Sequence, residues 1–294
     1  MRTMFPSIRT IIATFAMMVV SAFVSVPNLA AQTPQQSAKP ATSSGQSGAS
    51  GQSGATGGTQ ATAEAPKPVD PEEEKAYKEI ADTKADDADK RIQLGEAYIQ
   101  KYPNGKYAEQ VYAVLTTAEY SKQDLPKMYA DSDKALALNP DDVTVLVLVG
   151  WVIPHNYNPD DLEAEHRLDK GEAYEKHALA VLAALPKPAN LTDEQFAKAK
   201  AQGESQAHSG LGLIYFRRQK FDDSIDELKK ATADPGNQDP TDYYVMGMEL
   251  NQQKKFADAQ ASFQKCAQLP GGLQDRCKKS ADEAKKQASQ PASK

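Results

Sequence analysis

The chain has 294 residues, a formal net charge of −6 and a charged fraction of 25%. That balance supplies no basic face of the kind phosphate backbones require, which argues against nucleic acid as a partner. The hydrophobic class, 40% of residues, is inflated by alanine, and Trp151 is the only tryptophan, a composition better suited to closely packed small helices than to a large globular core.

Arg2 and Arg9 open the chain, followed by an apolar run from Ile11 to Val26 broken only by Thr14, Ser21 and Ser25, then Pro27 and Ala30-Ala31. This order predicts a secretory signal peptide over 1–31, although Leu29 or Asn28 fits the small-residue rule at the third position back only loosely. The apolar run is shorter than the ~20 residues a membrane span needs, and an uncleaved anchor is the alternative. No cysteine lies near the junction, which disfavours a lipid anchor. The expected product is periplasmic or secreted, without a stable membrane span, and without Arg2 and Arg9 its net charge is about −8. From Gln32 to Pro68 the chain is almost entirely Ser, Gly, Gln, Ala, Thr and Pro around SGQSGASGQSGATGG, with nothing large and apolar to offset ordering entropy, and residues 32–70 read as a disordered linker.

From Pro71 onward, amphipathic patterns separated by Pro, Gly and Asn breaks predict helices at about 72–84, 87–101, 105–121, 125–138, 142–153, 160–184, 192–217, 221–233, 240–253, 256–268 and 272–287, with a short disordered tail over 288–294. The valine-rich run Val143–Val149 could pass for a strand. It follows Asn139-Pro140-Asp141-Asp142, a helix-opening signal, and so is read as a buried helix.

Paired, these helices repeat. Leu211-Gly212-Leu213-Ile214-Tyr215 precedes Ser224, Leu228, Ala231 and Pro235-Gly236; 35 residues on, Met246-Gly247-Met248-Glu249-Leu250 precedes Ala259, Phe263, Cys266 and Pro270-Gly271 at the same offsets. These residues resemble the tetratricopeptide consensus, most strongly over 205–239 and 240–273. Lys134 to Asp141 looks like the end of an earlier repeat. Leu146, Val149, Gly150 and Ile153 then open the next, whose second helix, read through Ala173, His177 and Ala180, arrives about eleven residues late, which makes Pro154 to about Glu165 an insertion. Leu94-Gly95-Glu96-Ala97-Tyr98 imitates a first helix, but Tyr102-Pro103 ends it too soon. The resemblance implies an all-α fold over 71–287: a right-handed α-solenoid of stacked helix-turn-helix repeats with a C-terminal capping helix.

The resemblance further implies a non-catalytic scaffold that binds a protein or peptide on its concave face, which the first helices line. Counted in repeat register, that groove holds Trp151, His155, Ser209, Leu213, Phe216, Arg217, Tyr244, Met248, Asn251 and Gln252, with the alternative that the insertion covers Trp151 and Phe216 and makes them packing residues. The two cysteines, Cys266 and Cys277, fall on the inward face of the last second helix and the apolar face of the terminal helix. In an oxidising compartment they are expected to form a disulfide; two buried free thiols are the alternative.

Catalytic patterns are missing from the sequence: it has no GxSxG, no P-loop and no dinucleotide glycine pattern. His155, His166, His177 and His208 have no compact ligand spacing, so neither metal nor cofactor is expected. The pairs Asp86-Asp87, Asp141-Asp142, Asp160-Asp161 and Asp222-Asp223 stand at helix starts, where carboxylates cap free amides. The one acid–histidine group that could hide a site is Asp160, Asp161, Glu163, Glu165 and His166. A cell-wall or polymer-binding module, or a subunit of an envelope enzyme complex, is the alternative function.

Overall fold

A computed structural model describes residues 70–234 and 239–289. The signal segment, residues 32–69 of the linker, residues 235–238 with the Pro235-Gly236 break, and residues 290–294 lie outside those described. Eleven helices and no strand occur among the described residues: α1 (Pro71–Asp82), α2 (Ala88–Lys101), α3 (Ala108–Ser121), α4 (Leu125–Leu138), α5 (Val143–His155), α6 (Ala164–Ala184), α7 (Asp193–Arg217), α8 (Phe221–Ala231), α9 (Pro240–Gln252), α10 (Phe256–Gln268) and α11 (Gln274–Ala288). None is long and apolar enough to cross a membrane.

Local chemistry sets the ends. The Asp87, Asp124 and Asp142 carboxylates accept from the amides of Lys90, Lys127 and Val145 at 3.2, 3.3 and 3.1 Å, and Thr192 and Gln195 close a reciprocal capping box at the start of α7. Three turns between paired helices share one device: Gln123, Gln219 and Lys254 take left-handed φ values of 61°, 59° and 60°. The following amide then donates back to the carbonyl five residues earlier, Lys220 to Tyr215 and Lys255 to Leu250 at 2.9 Å, so orphan carbonyls are satisfied without a glycine.

The helices pack as successive pairs. α3 lies on α4, α5 on α6, α7 on α8 and α9 on α10, while the first helices of neighbouring pairs also meet, α3 with α5, α5 with α7, α7 with α9 and α9 with the terminal α11. This is an all-α solenoid, and its apolar interior runs along the stack rather than collecting in one centre. Ile80, Tyr98 and Leu115 hold the first section, Val145, Leu168, Leu182 and Ile214 the middle, and Leu228, Val245, Phe263 and Ala284 the last. α2 is a second helix, packed on α1 and α3. Cys266 and Cys277, both wholly buried, are joined as a disulfide between α10 and α11 with Cα atoms 5.8 Å apart.

In the last three pairs, close approach of the first helix to the second depends on a glycine. A Cβ at Gly212 would meet Leu228 at 2.6 Å, and one at Gly247 would meet Phe263 at 2.6 Å. In the α5–α6 pair the same role falls to Gly150, whose Cβ would meet the Glu175 carboxyl at 2.6 Å. This corrects the register expected for α6: its buried stripe is Leu168, Gly171, Glu175, Ala178 and Leu182, whereas Ala173, His177 and Ala180 face solvent. His177 instead hydrogen-bonds Asp141 at 2.7 Å. The insertion is also shorter than expected. Pro154 stays inside α5, which runs on to His155, and only residues 156–163 separate the two helices.

Candidate functional site

The end of α5, the second half of α7 and the start of α9 converge on the first-helix face of the stack. α5 is apolar all round and buried almost throughout, which fixes the ring positions at its last turn. Its final carbonyls have no helical partner. His155 Nδ1 lies 2.7 Å from the Trp151 carbonyl, and Arg217 Nε donates to the Pro154 carbonyl at 3.0 Å.

These two bonds define the chemistry. A carbonyl only accepts, so His155 Nδ1 carries the proton and Nε2 is left as a lone-pair acceptor. The His155 side chain is only 4% exposed, and Nε2 has no hydrogen-bond partner. Burial pushes the imidazole pKa down; Asp239 and the Trp151 carbonyl pull it back up, and Arg217 adds to the depression. The ring is therefore neutral at physiological pH. Asp239 Oδ2 stands 4.0 Å from Nε2, while its Oδ1 accepts the Thr241 amide at 2.7 Å and caps α9.

Aromatic rings frame the group. Trp151 lies 3.8 Å from His155 centroid to centroid, Tyr120 meets Trp151 edge-on at 6.4 Å, and the Arg217 guanidinium sits 5.4 Å above Tyr157 and 5.8 Å from Phe216. Between them is a cavity of about 80 Å³, walled by His155, Tyr157, Leu213, Phe216, Arg217, Thr241 and Val245. Such a space takes a few waters or one short side chain, well short of the roughly 300 Å³ or more of a cofactor site.

Of the sequence-derived groove residues, His155, Leu213, Phe216 and Arg217 therefore come together. Trp151 is 7% exposed and backs the imidazole, a packing position as well as a neighbour of the site. Ser209, 2% exposed, is likewise buried and hydrogen-bonds the buried Asp242 at 2.7 Å. Tyr244 belongs elsewhere: it is buried against Phe263, centroids 5.8 Å apart, with Arg276 of α11 at 5.9 Å. Met248 packs on that same C-terminal core, Asn251 is half-buried, and Gln252 is exposed. Tyr157, Asp239, Thr241 and Val245 complete the site and were not singled out from sequence. Asp239 was accessible as the cap preceding Pro240, and Thr241 as the second position of its repeat.

The acid–histidine group of the 156–163 segment does not converge. Asp161 pairs with Arg167 and accepts the Glu163 amide, Glu165 reaches Arg218 at 3.4 Å, and Asp160 and His166 are exposed. Among the described residues no cluster of three His, Cys, Asp or Glu is placed to hold a metal ion.

No protein-family model matches the chain, and no curated protein matches it. Among solved structures it is similar to a thermophilic TPR protein of Thermus thermophilus, at 15% identity and a TM-score of 0.39, with 72% of this chain and 98% of that one covered. The assignment of helix pairs rests on the contacts described above.

Proposed function

We propose that the chain is a non-catalytic scaffold of the bacterial cell envelope that binds a protein or peptide on its first-helix face, centred on the His155–Arg217 cluster. The observation that carries this reading is a small cavity on that face walled by aromatic, aliphatic and arginine side chains, with a buried acceptor left unpartnered. Aromatic and arginine side chains bury much area per rotamer lost, the composition of binding hot spots. The envelope location is supported by the charged start and apolar run of residues 1–31.

A photo-crosslinking amino acid placed at Gln252, exposed on first helix α9, and separately at Ala180, exposed on second helix α6, tests the binding face in intact cells. A discrete protein adduct is expected from position 252 and none from 180. Equal adducts at both positions, or a glycan adduct only, would overturn the reading.

A further inference from the structure

We infer that the cavity between α5, α7 and α9 is a single-side-chain subsite for a primary carboxamide, the side chain of an Asn or Gln in a partner peptide. Assigning that carboxamide to a peptide rests on the scaffold reading; the chemistry of the subsite does not.

His155 Nε2 is a bare lone pair because Nδ1–H is committed to Trp151, and the side chain is buried with nothing bonded to Nε2. Asp239 Oδ2 lies 4.0 Å away. Two acceptors so close call for an occupant with two hydrogens on one atom, since a single N–H could serve only one. A carboxylate has none, and it would face a lone pair and an anion at once. An ammonium has enough hydrogens but would sit in the same small cavity wall as the Arg217 guanidinium, itself largely buried between Tyr157 and Phe216. Arg217 and Asp239 already cancel in charge, so a neutral occupant is favoured over either ion.

A carboxamide meets each condition. Its NH₂ serves Nε2 and Oδ2 together, and its oxygen can accept from the Thr241 hydroxyl on the same wall. Its methylenes lie against Leu213, Phe216 and Val245, and a volume of about 80 Å³ limits the guest to one short side chain. A ketone of the same shape fills the space yet leaves the buried His155 Nε2 unpaired, which is penalised heavily.

Trp151, the only tryptophan, lies on the His155 ring and reports the site directly. The full chain is titrated with propionamide, butanone, propylamine and sodium propionate, read by Trp151 fluorescence and by the ¹⁵N resonance of His155 Nε2. Propionamide is expected to half-saturate at a concentration about tenfold or more below butanone, with both ions weaker still. In His155→Phe, which keeps the ring and removes the acceptor, that preference should vanish, and Thr241→Val should reduce it. Equal binding of butanone and propionamide, or tightest binding of propionate, overturns the inference. So does the absence of any shift up to the solubility limit, which would mean the cavity holds water only. Crosslinking from Gln252 separates this from the scaffold reading. Adducts that persist unchanged in His155→Phe leave the scaffold standing and remove the subsite, whereas a propionamide response without adducts does the reverse.

Discussion

The α9–α10 pair and the α5–α6 pair are built on one plan and filled differently. In the first, Gly247 lets α9 settle on Phe263, a 3%-exposed ring that closes the C-terminal core. In the second, Gly150 lets α5 settle on Glu175, whose carboxyl is wholly buried with neither oxygen hydrogen-bonded and with Gly210 of α7 closing over its other side. The same slot thus holds an aromatic where the stack only has to cohere, and a desolvated acid in the pair that carries His155. The lesson is that backbone geometry keeps the slot, and its chemical content is free to vary.

The comparison predicts opposite signs for two substitutions. Phe263→Ala should cost about 3–5 kcal/mol in urea unfolding, from lost burial and the cavity left behind. A loss under ~1 kcal/mol would show that the C-terminal slot does not anchor its pair.

Next in size is the cross-link that holds α11 on that pair. Reduction of Cys266–Cys277 should cost about 2–3 kcal/mol, from the unfolded-state entropy of a short loop. Thiol titration of the denatured, unreduced protein should find no free thiol, and two free thiols would remove the staple from the account.

Glu175→Leu, by contrast, should stabilise the protein by about 1–3 kcal/mol, because it replaces an unsatisfied buried carboxyl with the residue type that Leu228 supplies in the α7–α8 pair. Burial raises the Glu175 pKa well above its ordinary 4.5, so the folded state holds a proton there that the unfolded state releases. Stability therefore falls as pH rises above 4.5, until the folded-state pKa is passed. Glu249, pushed up to about 8 by burial against a Ser224 hydrogen bond, and Glu119, pushed up to about 8 by burial and by Asp131, tilt the curve the same way. Glu175→Leu should flatten part of that slope above pH 4.5, and an unchanged slope would show that its carboxyl is solvated after all.

This pair is also where sequence reasoning slipped. Helix number and most ends were legible, since capping aspartates, Pro breaks and apolar periodicity are local signals. The register of α6 was not, because an insertion of uncertain length precedes it, and a stripe holding Glu175 looks less apolar than the rival stripe through Ala173 and Ala180. The site was half legible for the same reason. Residues at fixed repeat offsets, His155, Leu213, Phe216 and Arg217, could be placed, whereas Tyr157 comes from the insertion and Asp239 from a cap. Pro154 looked like a helix end, but α5 runs one residue past it to His155.

The smallest expected effect tests the turns that set the pairing itself. Gln219 and Lys254 occupy equivalent positions 35 residues apart, both exposed, both at left-handed φ near 60°. A side chain there crowds the carbonyl, a strain that glycine avoids, although glycine gives back part of the gain through its greater freedom in the unfolded chain. The net expectation for Gln219→Gly and Lys254→Gly is a gain of roughly 0.5–1 kcal/mol each. Lys265→Gly, equally exposed but inside α10, should lose about 1 kcal/mol. The contrast is the measurement: if all three glycines destabilise by the same amount in urea unfolding, the left-handed turns are not shared repeat features, and the equivalence drawn between the α7–α8 and α9–α10 pairs fails at its hinge.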